Sequence, residues 1–379
     1  MTSTPEPAAP AASRAAWLLY SLIVLEILFM VSPIAAYYYA VYGAPLNALA
    51  QLPSTAWLVQ HILPHFSYSD SAAVNAAIVA SWPLILLGLA AFLAGFVQIY
   101  GARFGGRGAV AGGLYRHIRH PQYVALAIVG LGTTLFWSRF LVLVAFVVML
   151  CLYSALARAE ERFCLQRFGD DLPDYMNRTG RFLPLPPGSA GRPVPTRPAT
   201  PGWQRAAGGA MLCALLVALT VAAGWQVRRH TLASLQVERL GPHALLFVAP
   251  AAAADRERVA GLLADRLGDT ARLVYLVPAA WSVPELGLQP QTGTTKDAGA
   301  ELAYPTTHGN TGGYDRSRIR ALIAEPVVHG AAPAGRDLLA AAVRVRPLQV
   351  VDIDLQAASV SAPQPAGPSL WGDIPVPVY

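Results

Sequence analysis

The chain has 379 residues, of which 54% are apolar and 13% charged, with a mean hydropathy of +0.42. An ordinary soluble domain carries roughly 25% charged residues, so a single soluble globule and a disordered chain are both excluded and an integral membrane protein is indicated. The net charge of +6 is uneven: residues 1–226 hold 14 Arg, no Lys and 8 acids, whereas residues 227–379 balance 14 basic against 14 acidic side chains. A basic excess confined to the apolar half suits positive-inside membrane topology and not a nucleic-acid binder, which would show a basic soluble face.

Residues 1–14 form a Pro/Ala/Ser-rich tail read as disordered. The first apolar run, Ala15 to Tyr42, is interrupted by Glu26 alone and is too long for a signal-peptide core. Glu26 is either an acceptor-side group or a structural bond to a neighbouring helix, because a charge at that depth is costly. A loop from Gly43 to Ser71 follows. It contains His61 and His65, whose i, i+4 spacing is broken as a metal pair by Pro64. The second span covers Ala72 to Tyr100. Tyr123 to Trp137 and Phe140 to Ala157 are two shorter runs parted only by Ser138 and Arg139, which predicts a tight helical hairpin. Gly130-x-Gly132 lies in the first of these runs and reads as close helix packing. A fifth run, Ala206 to Trp225, is free of charge.

The expected architecture is thus a membrane all-α bundle of five transmembrane helices followed by a small soluble α/β domain. Its parts are a four-span membrane domain over 15–185, a Pro-rich linker over 186–205, the fifth helix over 206–226, an outer domain over 227–362 and a Pro-rich tail over 363–379. With the amino terminus cytoplasmic, thirteen of the fourteen Arg before residue 227 face the cytoplasm, Arg139 being the exception. That orientation makes the outer domain extracytoplasmic in a multi-pass cell-membrane protein. Within it, His243–Val248, Leu273–Val277 and Leu348–Leu355 read as strands. Asp255–Leu267, Ser317–Ala324 and Asp337–Val343 read as helices. Residues 278–315 read as a long polar loop, and His308 and Asp315 in it as loop residues. The domain's partner is left unassigned.

The three cysteines, Cys151, Cys164 and Cys213, all lie in or beside apolar runs. Without a C-x-x-C pairing they support no metal site and no disulfide framework.

Polar residues gather in two blocks. The first is Gly113-Leu-Tyr115-Arg116-His-Ile-Arg119-His120-Pro121-Gln-Tyr123, entering the third span. The second leaves the fourth span with Glu160-Glu161, Leu165, Phe168-Gly169 and Tyr175, and closes on Arg181 and Pro184. The short hairpin between those spans brings the blocks together at the membrane surface. Gly105-Gly106-x-Gly108, just upstream, reads as a flexible loop, and Gly130-x-Gly132, with no strand before it, is not a dinucleotide fingerprint.

The pair of blocks resembles the isoprenylcysteine carboxyl methyltransferase and phospholipid methyltransferase superfamily over about residues 72–185. That superfamily carries G-x-Y, then R-H-P-x-Y-x-G, then, one hairpin later, a Glu pair, F-G, spaced tyrosines and R-x-x-P. Ala125 replaces the last glycine of the first block, and Leu172 stands where a tyrosine is usual.

The resemblance implies S-adenosylmethionine as cofactor. Arg119 and His120 suit its carboxylate. Glu160 and Glu161 suit its ammonium and hydroxyls, and Tyr115, Tyr123, Phe168 and Tyr175 offer aromatic faces to adenine and sulfonium. Pro121 begins the third helix. Arg181, Glu161 and His120 are the candidate catalytic set. Arg181 matches the superfamily's acceptor-side Arg, and Glu161 or His120 is the base that an amine acceptor needs. The implied substrate is a membrane lipid or lipid-linked acceptor, bearing a carboxylate, thiol or amine. A phosphatidylethanolamine-type N-methyltransferase and a non-catalytic scaffold for the outer domain are the rival readings.

Overall fold

The computed structural model describes residues 45–105, 112–168, 171–185, 202–288, 315–369, 375 and 378–379, and the side chains of all of these except 103, 166–168, 171, 172 and 202. The first run Ala15–Tyr42 with Glu26, most of the linker, Gly106, Gly108, His308 and the side chain of Phe168 lie outside the described residues.

A short helix, α1 (Pro45–Gln51), leads through a 3-10 turn at Ala56–Val59 into an irregular segment. Next come α2 (Ala72–Val79) and α3 (Ser81–Phe104), nearly continuous. The break after Val79 has a local cause. Pro83 lacks an N–H and its ring crowds the carbonyl four residues back, which is that of Val79. The hairpin then follows: α4 (Pro121–Phe136) opens on its proline, and α5 (Phe140–Phe168) returns after Trp137-Ser138-Arg139. At 29 residues α5 is about 43 Å long, enough to carry its last turns beyond the hydrocarbon. A short helix, α6 (Asp171–Arg178), folds back beneath it, and α7 (Gly202–Ser234) runs along α5.

Among the described residues, three segments are long and apolar enough to cross a membrane: Ala72–Ala102, Phe140–Leu165 and Trp203–Ser234. Of the five expected spans, these are the second, the fourth and the fifth. The third predicted span is α4, only 16 residues long, and the first lies outside the described residues. The fifth extends well past 206–226 at its far end, because Gln226–Ser234 is polar helix that packs onto the sheet that follows. Leu232 there, and Leu235 just beyond it, are buried in the sheet's core.

Glycines bring α3 and α4 together. A Cβ on Gly88 would lie 2.8 Å from the Ala125 carbonyl, and one on Gly132 would lie 2.7 Å from the Ser81 carbonyl. Ala125, where the superfamily has glycine, is therefore accommodated by a glycine on the facing helix. Gly130 faces Phe146 and Met149 of α5. Both glycines of Gly130-x-Gly132 thus serve helix contact, as their sequence context predicts.

The carboxy-terminal part is a curled mixed sheet in the order β1 (Val237–Leu240), β2 (His243–Phe247), β3 (Leu273–Pro278), β4 (Arg318–Val327), β5 (Arg344–Asp354) and β6 (Ser359–Val360), with β7 (Gln364–Pro365) also on β5. Among the described strands only β2 and β3 are parallel, joined through α8 (Ala253–Leu263). A small helix, α9 (Arg336–Ala341), precedes β5. Every residue of β2 and β3 is buried, as expected of strands covered on both faces. Ser317–Ala324, predicted as a helix, lies instead in β4 from Arg318 onward. Its Ala/Leu content favours helix locally, but pairing with β3 on one side and β5 on the other overrides that preference.

The sheet is not a separate globule. Phe66, from the segment between α1 and α2, is fully buried in its core beside Leu235, Tyr275 and Tyr379. The Tyr68 N–H donates to the Val248 carbonyl at 2.9 Å. The segment 363–379, predicted as a tail, supplies β7 and buried Val378 and Tyr379.

Candidate active site

The α4–α5 hairpin places the start of α4 beside the end of α5, and the segment after α6 closes over both. Residues 118–120 run parallel to 180–181: Ile118 bridges Gly180, the Arg119 N–H donates to the Gly180 carbonyl at 2.8 Å, and the His120 N–H to the Arg181 carbonyl at 3.1 Å. Arg119, His120 and Arg181 thereby project from one short ladder toward the two glutamates of α5.

Glu161 is the hub. Its Oε1 accepts from Arg181 Nε at 3.0 Å and lies 3.3 Å from His120 Nε2, while its Oε2 accepts from Arg181 Nη2 at 2.5 Å. Arg119 Nε is 3.0 Å from the same Oε1 but is not aligned for a hydrogen bond, so that contact is an ion pair. Arg119 spends its Nη1 on the Met176 carbonyl at 2.8 Å, which ties α6 to the ladder.

Glu160 is the open partner, with 47% of its side chain exposed. One oxygen accepts from the Tyr123 hydroxyl, and the other is 3.4 Å from His120 Nδ1. Both imidazole nitrogens thus face carboxylates. Burial alone would lower the His120 pKa, but hydrogen bonds to Glu160 and Glu161, with their charge, raise it above the ordinary value. Burial lowers the Arg119 pKa against the opposing pull of Glu161. Tyr175, whose hydroxyl donates to the Tyr115 carbonyl at 2.7 Å, has a raised pKa, chiefly from burial.

The structure therefore brings together Arg119, His120, Tyr123, Glu160, Glu161 and Arg181. Pro121 starts the helix that aims Tyr123, and Tyr115 and Tyr175 join the upstream turn to α6. Two contributors escape sequence reasoning. Tyr153 stacks on Tyr123 at 4.9 Å and 7°, and Tyr123 stacks on His120 at 5.5 Å and 6°, so three nearly parallel rings descend from the polar hub into the bundle. Tyr153 precedes Glu160 by seven positions, two helical turns on one face, and that spacing is the available signal. Gln98 of α3 is the other. Its Oε1 accepts from the Leu114 N–H at 3.2 Å, and its amide occupies the place where a Cβ on Gly113 would lie. Gly113 also has φ of +57°, so the first glycine of the motif is required twice over.

Residues 75–171 match the model of the phospholipid methyltransferase family. The match spans about a quarter of the chain, and over it the chain is similar to that family. The family lies within the superfamily of integral membrane methyltransferases that the two motif blocks resemble. The matched segment runs from α2 through the second block's Phe168-Gly169, so it contains both helices of the hairpin and both glutamates. No curated protein and no solved structure matches the chain. A membrane methyltransferase is therefore the coarse description that this match and the three apolar helices among the described residues support together.

Proposed function

We propose that this protein is an S-adenosylmethionine-dependent methyltransferase whose active site is the Arg119–His120–Glu160–Glu161–Arg181 cluster, facing the cytoplasm, with a lipophilic or lipid-linked acceptor arriving from the bilayer. The observation that carries the reading is the contact of His120 with both glutamates, which joins the two family blocks into one polar site.

The donor set suits the cofactor. Glu160, half exposed and with lone pairs to spare, would take the ammonium or the ribose hydroxyls. Arg181, 33% exposed, is the cation with room for a carboxylate, whereas Arg119 is held by Glu161 and the Met176 carbonyl and acts as an anchor. The faces of Tyr123 and His120 would lie against an aromatic or sulfonium group. When bound, S-adenosylmethionine supplies an electrophilic methyl group. The protein's own task is then orientation, which can be worth about 7–11 kcal/mol, together with exclusion of water.

The proton inventory bears on the acceptor. Glu161 is occupied by two guanidiniums and an imidazole, and the contacts of His120 with two carboxylates favour its protonated form. Neither is a ready base, which leaves Glu160 for an amine acceptor. A carboxylate or thiolate needs no base. Phosphatidylethanolamine-type N-methylation is the second reading, favoured by the matched family.

Incubating membranes that contain the protein with a methyl-labelled donor, followed by mass analysis of lipids and thiols, tests the proposal. Label in a lipid-soluble product, absent with Glu160→Ala/Glu161→Ala, supports it. No labelled product from any membrane fraction favours the scaffold reading.

A further inference from the structure

A second buried polar cluster lies at the opposite end of α5, where the segment before α2, the α4–α5 turn, α7 and the sheet meet. His61 is 3% exposed there, Arg139 2% and Arg228 4%. The two guanidiniums hold the parts together through carbonyls. Arg139 donates to Val59 at 2.7 Å and to Pro375 at 2.6 Å; Arg228 donates to His61 at 3.1 Å and to Ala340 at 2.8 Å. Residues 60–62 also pair with the turn: the Ile62 N–H donates to the Ser138 carbonyl at 2.7 Å and the Phe140 N–H to the Gln60 carbonyl at 3.1 Å. Tyr379 completes the seam. Its hydroxyl donates to the His61 carbonyl, and its backbone oxygen accepts from the His65 N–H at 2.7 Å.

The groups facing the His61 ring are mostly cationic or neutral. Arg139 comes from the turn, Arg228 from α7 and His65 from its own segment, with the Tyr379 phenol nearby. Among the described residues the carboxylate of this cluster is Glu285, fully buried and 3.5 Å from His65 Nε2. A proton on His61 would place a third positive charge beside two buried guanidiniums, away from water.

We propose that this seam is a proton-operated latch between the sheet and the helical hairpin: it holds while the His61 imidazole is neutral and opens when acid on that side of the membrane charges it. Burial first, then Arg139, His65 and Arg228, keep the His61 pKa well below 6.5. A base with a lowered folded-state value adds stability that is complete above its unfolded value and is lost as the pH falls below it. The opening equilibrium therefore rises by up to about tenfold per pH unit below about 6.5. Opening releases the turn that ties together α4 and α5, whose other ends carry His120 and the glutamates.

Hydrogen exchange read by mass spectrometry on the full chain in lipid nanodiscs, at about pH 7.5 and about pH 5, tests the latch. After correction for intrinsic exchange chemistry, peptides covering residues 59–70 should exchange at least about tenfold faster in acid, while β2 and β3 stay protected. His61→Gln should abolish that acid response, and His65→Gln should keep it. Unchanged exchange of residues 59–70 in the wild-type protein overturns the proposal. So does an acid response that persists in His61→Gln. If His61→Gln does not fold, loss of the response in His65→Gln overturns it as well.

Discussion

The imidazole of His120 lies 3.3 Å from the carboxylate of Glu161, across 41 positions of sequence and on a different helix. A three-residue turn at the far end of the hairpin makes this contact possible, because two antiparallel helices joined so tightly must end side by side. The cluster around the contact carries more cation than anion when His120 is protonated. Its stability rests on the one carboxylate that all three cations share.

Glu161→Gln should accordingly be among the most damaging single changes at this site. It leaves Arg119, His120 and Arg181 without their common counter-charge in a half-dry setting. We expect affinity for S-adenosylhomocysteine to fall at least tenfold, about 1.4 kcal/mol, measured by calorimetry. Glu160→Gln, at a more exposed position, should cost less.

The pH dependence should follow His120. Its folded-state pKa is raised, so the stabilisation from its proton is complete below the unfolded value of about 6.5 and is lost as the pH rises through the folded value. Cofactor-analogue affinity should therefore be fullest below about pH 6.5 and decline as the pH rises through the folded value. His120→Asn should flatten that decline, and a decline that survives the substitution would assign it to another group.

Tyr153 acts through Tyr123 by ring stacking. Tyr153→Phe should keep methyl-transfer activity within about threefold. Tyr153→Leu should lower it further, by up to about tenfold, the upper end of what the roughly 0.5–1.5 kcal/mol from aromatic pairs corresponds to. Equal effects of the two substitutions would locate the role in the hydroxyl instead.

Gly113→Ala forces a side chain into a left-handed conformation and displaces the Gln98 amide. A loss of about 1–2 kcal/mol in thermal stability is expected, with weakened cofactor-analogue binding. Adding Gln98→Ala should recover little, because the backbone conformation and not the amide sets most of the cost.

The packing of α7 on α5 can be read with native thiols. Cys151 of α5 and Cys213 of α7 are both free and within hydrogen-bonding reach of each other. A membrane-permeant oxidant should join them within one chain, and Cys164→Ala should leave that cross-link intact.

How far the sequence foretold the molecule depends on the range of the interactions involved. The hairpin, the start of α4 at Pro121 and the meeting of the two blocks were legible because each is fixed by local spacing. Tyr153 and Gln98 were not, since their roles arise from contacts between helices that no single segment records. The burial of His61 and His65 was hidden for the same reason: a segment with Pro64 reads as a loop, and only the sheet packed over it makes it interior. Strand β4 was misread because Ala321, Leu322 and Ala324 favour a helix until two neighbouring strands claim their backbone. Helix α7 outran its apolar core, because hydropathy ends at Trp225 whereas packing against the sheet continues to Ser234.

The most direct test of the methyltransferase account is calorimetric titration of S-adenosylhomocysteine into the full-length protein, beside Glu160→Ala/Glu161→Ala and Arg181→Ala. The account predicts saturable one-site binding to the wild-type chain, lost in the double variant and weakened in Arg181→Ala. Absence of saturable binding to a folded wild-type protein, or equal binding by all three, would contradict it.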